Sequence, residues 1–198
     1  MLDFIVIMRV GDKMKNIYIL GVARTGKSTL AQMIKKHFPE YNLISMDAIR
    51  NAFSETMPEL NMKNRSSETR RDLLPKFICE FAFWNKEISK EKNGTIIEGG
   101  IITLSQIKGC VKSGDIVICL GHGNLGINEI VKNIKEYDKE DDYTYDWSED
   151  KIVNHFNDIC AMDESNKLIC TDNKYMYIDS SFNRAEKFDE VIKTLQTK

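Results

Sequence analysis

The chain has 198 residues, 42% of them apolar and 29% charged, and a formal net charge of -2. That length fits one domain with a core large enough to need neither disulfides nor metals. The charge excludes a molecule built throughout as a polycation for nucleic acid, though not a local basic patch.

The chain opens with an apolar stretch, Phe4 to Met8. It is too short to span a bilayer and lacks the basic start and small-residue cleavage site of a signal peptide. Met14 stands just before the first convincing strand. Residues 1–13 therefore read as a dispensable extension or an early start codon, with a short edge strand as the alternative.

Asn16 to Leu20 is apolar enough for a strand buried on both faces. A helix is expected from about Lys27 to His37, stopped by Pro39. Leu43 to Met46 is a short second strand, and Asp47 to Phe53 a turn or two of helix. Residues 54–65 are polar and irregular. From Ser67 to Lys90, Leu73, Leu74, Phe77, Ile78, Phe81, Trp84 and Ile88 recur at helical spacing. Pro75 either kinks this helix or opens a second one.

Thr95 to Glu98 is the third strand, after the Asn93-Gly94 turn. Helix is expected from Ser105 to Lys112, a fourth strand from Ile116 to Leu120, and helix again from Asn128 to Tyr137. Residues 138–150 are acidic and aromatic, with Asp138, Glu140, Asp141, Asp142, Tyr143, Tyr145 and Trp147. A helix from Glu149 to Met162 and a strand from Tyr175 to Ile178 follow. Asn183 is placed to cap the last helix, with Glu186 as its reciprocal partner. Strands alternating with helices predict an α/β parallel sheet with right-handed crossovers. Ligands of such sheets bind beyond the carboxyl ends of the strands. The five cysteines, Cys79, Cys110, Cys119, Cys160 and Cys170, have no metal-ligand spacing and read as free thiols of a reducing cytoplasm.

Gly21-Val22-Ala23-Arg24-Thr25-Gly26-Lys27-Ser28 matches the eight-residue phosphate-loop pattern. Such a match arises by chance in about one chain in a hundred of this length. Glycines let the backbone turn its N–H groups toward one point, and the following helix adds the positive end of its dipole. Lys27 reaches the β- and γ-phosphates, and the Ser28 hydroxyl completes a magnesium shell. The candidate nucleotide-binding set is Gly21, Ala23, Arg24, Thr25, Gly26, Lys27, Ser28 and Thr29.

Three further features lean toward a small-molecule kinase. Asp47 leaves the second strand, with Arg50 three residues on. Asp47 could take the proton of an acceptor hydroxyl or hold magnesium through water, and Arg50 could hold an anionic part of the acceptor. A helix cap is the bland alternative for Asp47. Glu98 ends the third strand before Gly99-Gly100 and could bind acceptor hydroxyls or orient magnesium waters. The polar stretch 124–165 sits where a closing lid would exclude water. Its Tyr143, Tyr145 and Trp147 could close over a planar group or pack on the body.

On the phosphate loop, the Asp47/Arg50 pair, the Glu98-Gly99-Gly100 strand end and the segment Ile178-Asp179-Ser180-Ser181, the chain resembles the adenylate-kinase-like branch of P-loop kinases. That branch includes nucleoside, shikimate and gluconate kinases and related toxin kinases. The resemblance covers residues 15–195. It implies a three-layer fold with a five-stranded parallel sheet in the order 2-3-1-4-5, ATP with Mg2+, and an acceptor near the second and third strands. It also implies a lid over the phosphates, with the Arg184 neighbourhood beside the adenine. The chain departs from the pattern in one respect: no arginine lies between Arg71 and Arg184. The lid cations are lysines, Lys132, Lys135, Lys139 and Lys151, which lack the bidentate fork. Transfer would then lean on Arg24, Arg70 or Arg71, or be slow or absent.

Arg65, Arg70 and Arg71 form a basic cluster that could grip an acidic acceptor or be a solvated helix face. His122 reads as a turn residue on the ligand side, and His37 and His155 as surface residues. The expected protein is a cytoplasmic ATP-dependent kinase, monomer or homodimer, acting on a small hydroxyl- or phosphate-bearing acceptor, without nucleic-acid or membrane partners. A nucleotide switch is the rival, but Asp115 precedes its strand, and no guanine-reading Asn-Lys-x-Asp segment occurs. A degenerate nucleotide sensor is the other rival, motivated by the missing lid arginines.

Overall fold

The computed structural model describes residues 9–10, 13–64, 66–88, 93–138, 140 and 142–196. Phe4 to Met8, Arg65, Lys139 and Asp141 lie outside the described residues. A short antiparallel hairpin comes first, β1 (Arg9–Val10) against β2 (Lys13–Met14), and Met14 is buried in the core. The described strand residues at this end thus pair with each other, apart from the main sheet.

The main sheet is built from β3 (Ile17–Gly21), β4 (Asn42–Ser45), β5 (Thr95–Glu98), β6 (Ile116–Gly121) and β7 (Met176–Asp179). Every pairing is parallel, in the order β4-β5-β3-β6-β7. Counting only these five strands, this is the expected order 2-3-1-4-5. β3 carries the reason in its sequence. Ile17 and Ile19 point to one face and Tyr18 and Leu20 to the other, and all four are buried.

Helices cover both faces. α1 (Lys27–His37) presents Leu30, Ala31 and Ile34 to Ile17, Ile19 and Ile118. α2 (Met46–Thr56) follows β4, and a single 3-10 turn at Pro58–Leu60 leads on to α3 (Glu68–Ile88). α3 and the one-turn α4 (Leu104–Ile107) pack Leu74, Ile78, Ala82 and Ile107 against Tyr18, Leu20 and Ile97. A third cluster joins Val22 to α5 (Ile127–Tyr137) and α6 (Glu149–Asn173) through Ile130, Ile134, Ile152 and Phe156. α7 (Arg184–Gln196) closes the α1 face with Phe188 and Ile192.

Three elements differ from expectation. α3 runs unbroken through Pro75, which removes the amide that would bond the Arg71 carbonyl. The Gln106 side-chain amide donates to that carbonyl instead, at 3.0 Å. α4 ends after one turn, with Thr103 and Gln106 forming its capping box. α6 continues eleven residues past Met162 to Asn173, with Asp163 and Asn166 buried inside it. Asn183 has φ 49°, outside the extended region of a capping residue. The five cysteines are free, and burial pushes the Cys79 thiol well above its ordinary range. Among the described residues, no helix is long and apolar enough to cross a membrane.

Candidate active site

The loop after β3 is shaped by contacts that its residues dictate. Gly21 has φ 121°, and a Cβ there would lie 2.0 Å from the Leu120 carbonyl oxygen. Only glycine lets β3 run this close to β6 at its end. The Val22 amide then donates to that oxygen at 3.1 Å, and the Val22 side chain is fully buried in the third cluster. Burying it contributes about 2 kcal/mol toward holding the loop on α5 and α6. Thr25 Oγ1 donates to the Val22 carbonyl at 2.8 Å, and Lys27 Nζ donates to the same oxygen at 2.6 Å.

Arg24 (φ 64°) and Gly26 (φ 87°) take left-handed conformations. Such alternation turns successive amides toward one concavity. α1 begins directly after Gly26, with no side-chain cap and no acidic residue in its first turn. Its first-turn amides and dipole therefore remain available to an anion.

Lys27, Ser28 and Glu98 converge beside this loop. Glu98 pairs in register with Ile19 on one side and Ser45 on the other, so its carboxylate emerges between β3 and β4. It is buried and accepts the Ser28 hydroxyl at 3.0 Å. A Cβ on Gly100 would lie 3.7 Å from Lys27 Nζ, which places the ammonium over that glycine. Burial pushes Lys27 down to about 8, against the opposing charges of Glu98 and Asp47.

Asp47 sits in the first turn of α2 and is half exposed. It pairs with Arg50 at 3.0 Å, and Arg50 also donates to the Asn51 side chain at 2.9 Å. The two predicted acceptor residues thus hold each other. Arg70 is only 9% exposed and donates to the Lys63 carbonyl, so the solvated-face reading does not hold for it. Arg71 is exposed on the same helix.

Arg24 is engaged. Its guanidinium pairs with Asp138 and with Asp142, the latter also through a hydrogen bond of 2.8 Å. Thr144 Oγ1 donates to Asp138 Oδ1 at 2.8 Å. The acidic stretch after α5 thereby clasps the phosphate loop. The described lysines of the same region are engaged elsewhere or exposed. Lys135 donates to the Trp147 carbonyl, Lys151 lies 4.0 Å from the Trp147 ring centroid, and Lys132 is exposed. Trp147 packs on the third cluster and touches the Tyr143 and His155 rings, while Tyr145 is exposed. His155 is consequently half-buried among aromatic rings, not a surface residue. His37 is exposed.

Sequence reasoning missed a polar network behind the loop. His122 is 8% exposed, and its Nε2 lies 2.9 Å from the Ala23 carbonyl oxygen. Burial pushes the imidazole below its ordinary range, which favours the neutral ring donating that hydrogen bond. The His122 amide donates to Asp163 at 2.7 Å, and the Tyr177 hydroxyl donates to the same carboxylate at 3.0 Å. Lys167 donates to the Gly123 carbonyl at 2.6 Å. No spacing in the sequence marks these partners, which come from β6, α6 and β7.

A cavity of about 600 Å³ opens beside the loop. Gly26, Thr29 and Arg24 line one end, and Leu125, Ile130 and Ile134 line the apolar side. Arg184 also lines it, donating to the Ser180 carbonyl at 3.1 Å, with its Cδ 3.2 Å from where a Gly26 Cβ would stand.

Solved structures share this fold. A gluconokinase from Sinorhizobium meliloti 1021 superposes with TM-score 0.59 at 14% identity, covering 91% of each chain. A shikimate kinase from Aquifex aeolicus vf5 gives 0.54 at 16%, covering 91% of this chain and 96% of that one. A sugar kinase from Janibacter sp. HTCC2649 gives 0.58 at 14%, covering 92% and 95%. The fold is the one these solved kinases share. No family model and no curated protein matches the sequence. In this fold the predicted nucleotide-binding residues run from the carboxyl end of β3 into the first turn of α1, and Glu98 lies beside them on β5.

Proposed function

We propose that the chain is an ATP-dependent kinase transferring a phosphoryl group to a small hydroxyl- or phosphate-bearing acceptor. The observation that carries this reading is the meeting of Lys27, Ser28 and Glu98 beside an uncapped helix start. An amide nest and an ammonium suit a triphosphate. A hydroxyl and a carboxylate 3.0 Å apart are hard oxygen donors of the kind magnesium takes. Ser28 would hold the ion directly, and Glu98 and Asp47 through its waters. When bound, the ion offsets charge on the β- and γ-oxygens.

The chain's own residues then have separate tasks. Loop amides and Lys27 fix the triphosphate. Asp47, at the exit of β4, accepts the acceptor hydroxyl proton; its charge already acts on Lys27, so it lies close to the transferring group. Arg50 anchors the acceptor once it exchanges Asp47 and Asn51 for an anionic or hydroxyl partner. α5, the clasp and the first half of α6 form the lid at 124–165, which excludes water from the transfer. Arg184 packs along the nucleoside. The enzyme is expected to work in the cytoplasm as a monomer or homodimer.

A second reading has a specific observation behind it. Arg24 is held by Asp138 and Asp142, and no arginine occurs between Arg71 and Arg184. A chain that binds nucleotide and transfers nothing would look this way. A screen of alcohols, sugars and nucleosides with labelled ATP separates the two. The kinase reading predicts labelled acceptor, with Asp47→Asn slowing its formation by about 100-fold or more. Nucleotide binding without label in any acceptor, or Asp47→Asn at full rate, contradicts it.

The ammonium also sets a pH dependence. Lys27 sits at about 8 without nucleotide, and a triphosphate beside it raises that value. Affinity for MgATP is therefore full below pH 8 and declines as pH rises above it. Between these two values binding takes up a proton. Calorimetry at pH 8.5 in buffers of different ionisation enthalpy should register that uptake, and Lys27→Met should abolish it.

A further inference from the structure

Among the residues that line the 600 Å³ cavity, Asn133 stands beside Leu125, Ile130 and Ile134 with a polar side chain that no described residue bonds. Asn133 lies on α5 between Ile130 and Ile134, on the same helical face, and lines the cavity with them. It is half-buried, and its side chain has no hydrogen-bond partner among the described residues. An asparagine in mid-helix is a poor helix former. Here no described residue bonds it in return, which leaves its amide for a ligand.

The cavity constrains that ligand. Its near end is the phosphate loop at Gly26 and Thr29, and its side is Leu125, Ile130 and Ile134. A volume of about 600 Å³ is within the range of small-molecule pockets. A nucleoside triphosphate with its phosphates on the loop would lay its flat base on these aliphatic side chains. The charged groups at the cavity are already committed. Asp142 pairs with Arg24, and Arg184 donates to Ser180. Ser180, also at the cavity, donates its hydroxyl to the Gly121 carbonyl. The Asn133 amide offers one donor and one acceptor side by side, matching the adjacent ring nitrogen and 6-amino group of adenine.

We infer that Asn133 reads the base of the nucleotide, accepting from the 6-amino group of adenine and donating to a neighbouring ring nitrogen. The inference rests on the phosphate-loop reading and adds to it the residue that distinguishes ATP from a bare triphosphate. Replacing Asn133 with leucine keeps the size and the helix while removing both polar atoms.

The test compares three probes with magnesium by calorimetry: ATP, the triphosphate of purine riboside, which lacks the 6-amino group, and inorganic tripolyphosphate. The wild type should prefer ATP over the riboside triphosphate by about tenfold, the worth of one well-formed hydrogen bond whose loss leaves a group unpaired. Asn133→Leu should bind those two within about twofold of each other, with tripolyphosphate affinity unchanged. Thermal unfolding checks that the variant is folded. A variant that keeps the tenfold preference overturns the inference, as does a wild type with no preference. Failure of the underlying reading looks different: tripolyphosphate would then bind wild type and Lys27→Met alike.

Discussion

Glu98→Gln should slow phosphoryl transfer by about 100- to 1,000-fold, the range seen when one preorganised electrostatic partner is removed. Glutamine has the shape of glutamate and can still accept the Ser28 hydroxyl through its Oε1, so the packing of β5 between β3 and β4 should survive. What disappears is a negative charge that is buried beside Ser28 and felt at Lys27. In the proposed arrangement that charge orients the waters of the magnesium ion. Two measurements separate this role from damage to the fold. Initial rates with an acceptor from the screen should fall, while ATP affinity without magnesium should change little. The gain in affinity that magnesium gives the wild type should be mostly lost. A variant within about threefold of the wild-type rate would contradict the assignment, being smaller than any such electrostatic partner is worth.

Much of this site was legible because its parts are local. The phosphate loop is eight consecutive residues with a buried strand before and a helix after, and both elements stand where periodicity places them. β5 matched the expected bounds, Thr95–Glu98, because a short apolar run between Asn93-Gly94 and Gly99-Gly100 admits little else. The sheet order came with the resemblance, and the strand pairings agree with it.

What stayed hidden depends on partners distant in sequence. The sequence reading ends α6 too early, at Met162, and nothing local marks Asp163 and Asn166 as buried. Asp163 is instead 3% exposed, satisfied by the His122 amide and the Tyr177 hydroxyl. A buried carboxylate is tolerable only with such partners, and no local pattern reveals them. Arg24 posed the same problem. Its partners Asp138 and Asp142 lie 114 and 118 residues away. The acidic stretch was visible, but not that it would clasp the loop. Pro75 was a fair warning of a broken helix, answered by Gln106 from the next element.

Lys27 has the second large expected effect. Its ammonium is buried, which pushes it down to about 8, so keeping it charged in the empty site opposes folding. The sign follows from proton linkage. Between about 8 and the ordinary lysine value the unfolded chain binds more protons, so stability without nucleotide rises with pH across that window. Below pH 8 both states are protonated and the full penalty is present. Lys27→Met keeps the aliphatic stem and removes the charge. At pH 7 and without nucleotide it should unfold at the same temperature as the wild type or higher. A residue whose charge is unfavourable to the fold is explained by what it binds.

The decisive experiment is therefore a calorimetric titration of MgATP into the wild type and Lys27→Met at pH 7. Lysine would make charge-assisted hydrogen bonds to two phosphates, each worth about 1.5–3 kcal/mol, so affinity should fall by about 100-fold or more. The variant's unfolding temperature should stay at or above that of the nucleotide-free wild type and should rise less with MgATP than the wild type's does. Equal affinity in the two proteins would mean that the triphosphate is not held by this loop.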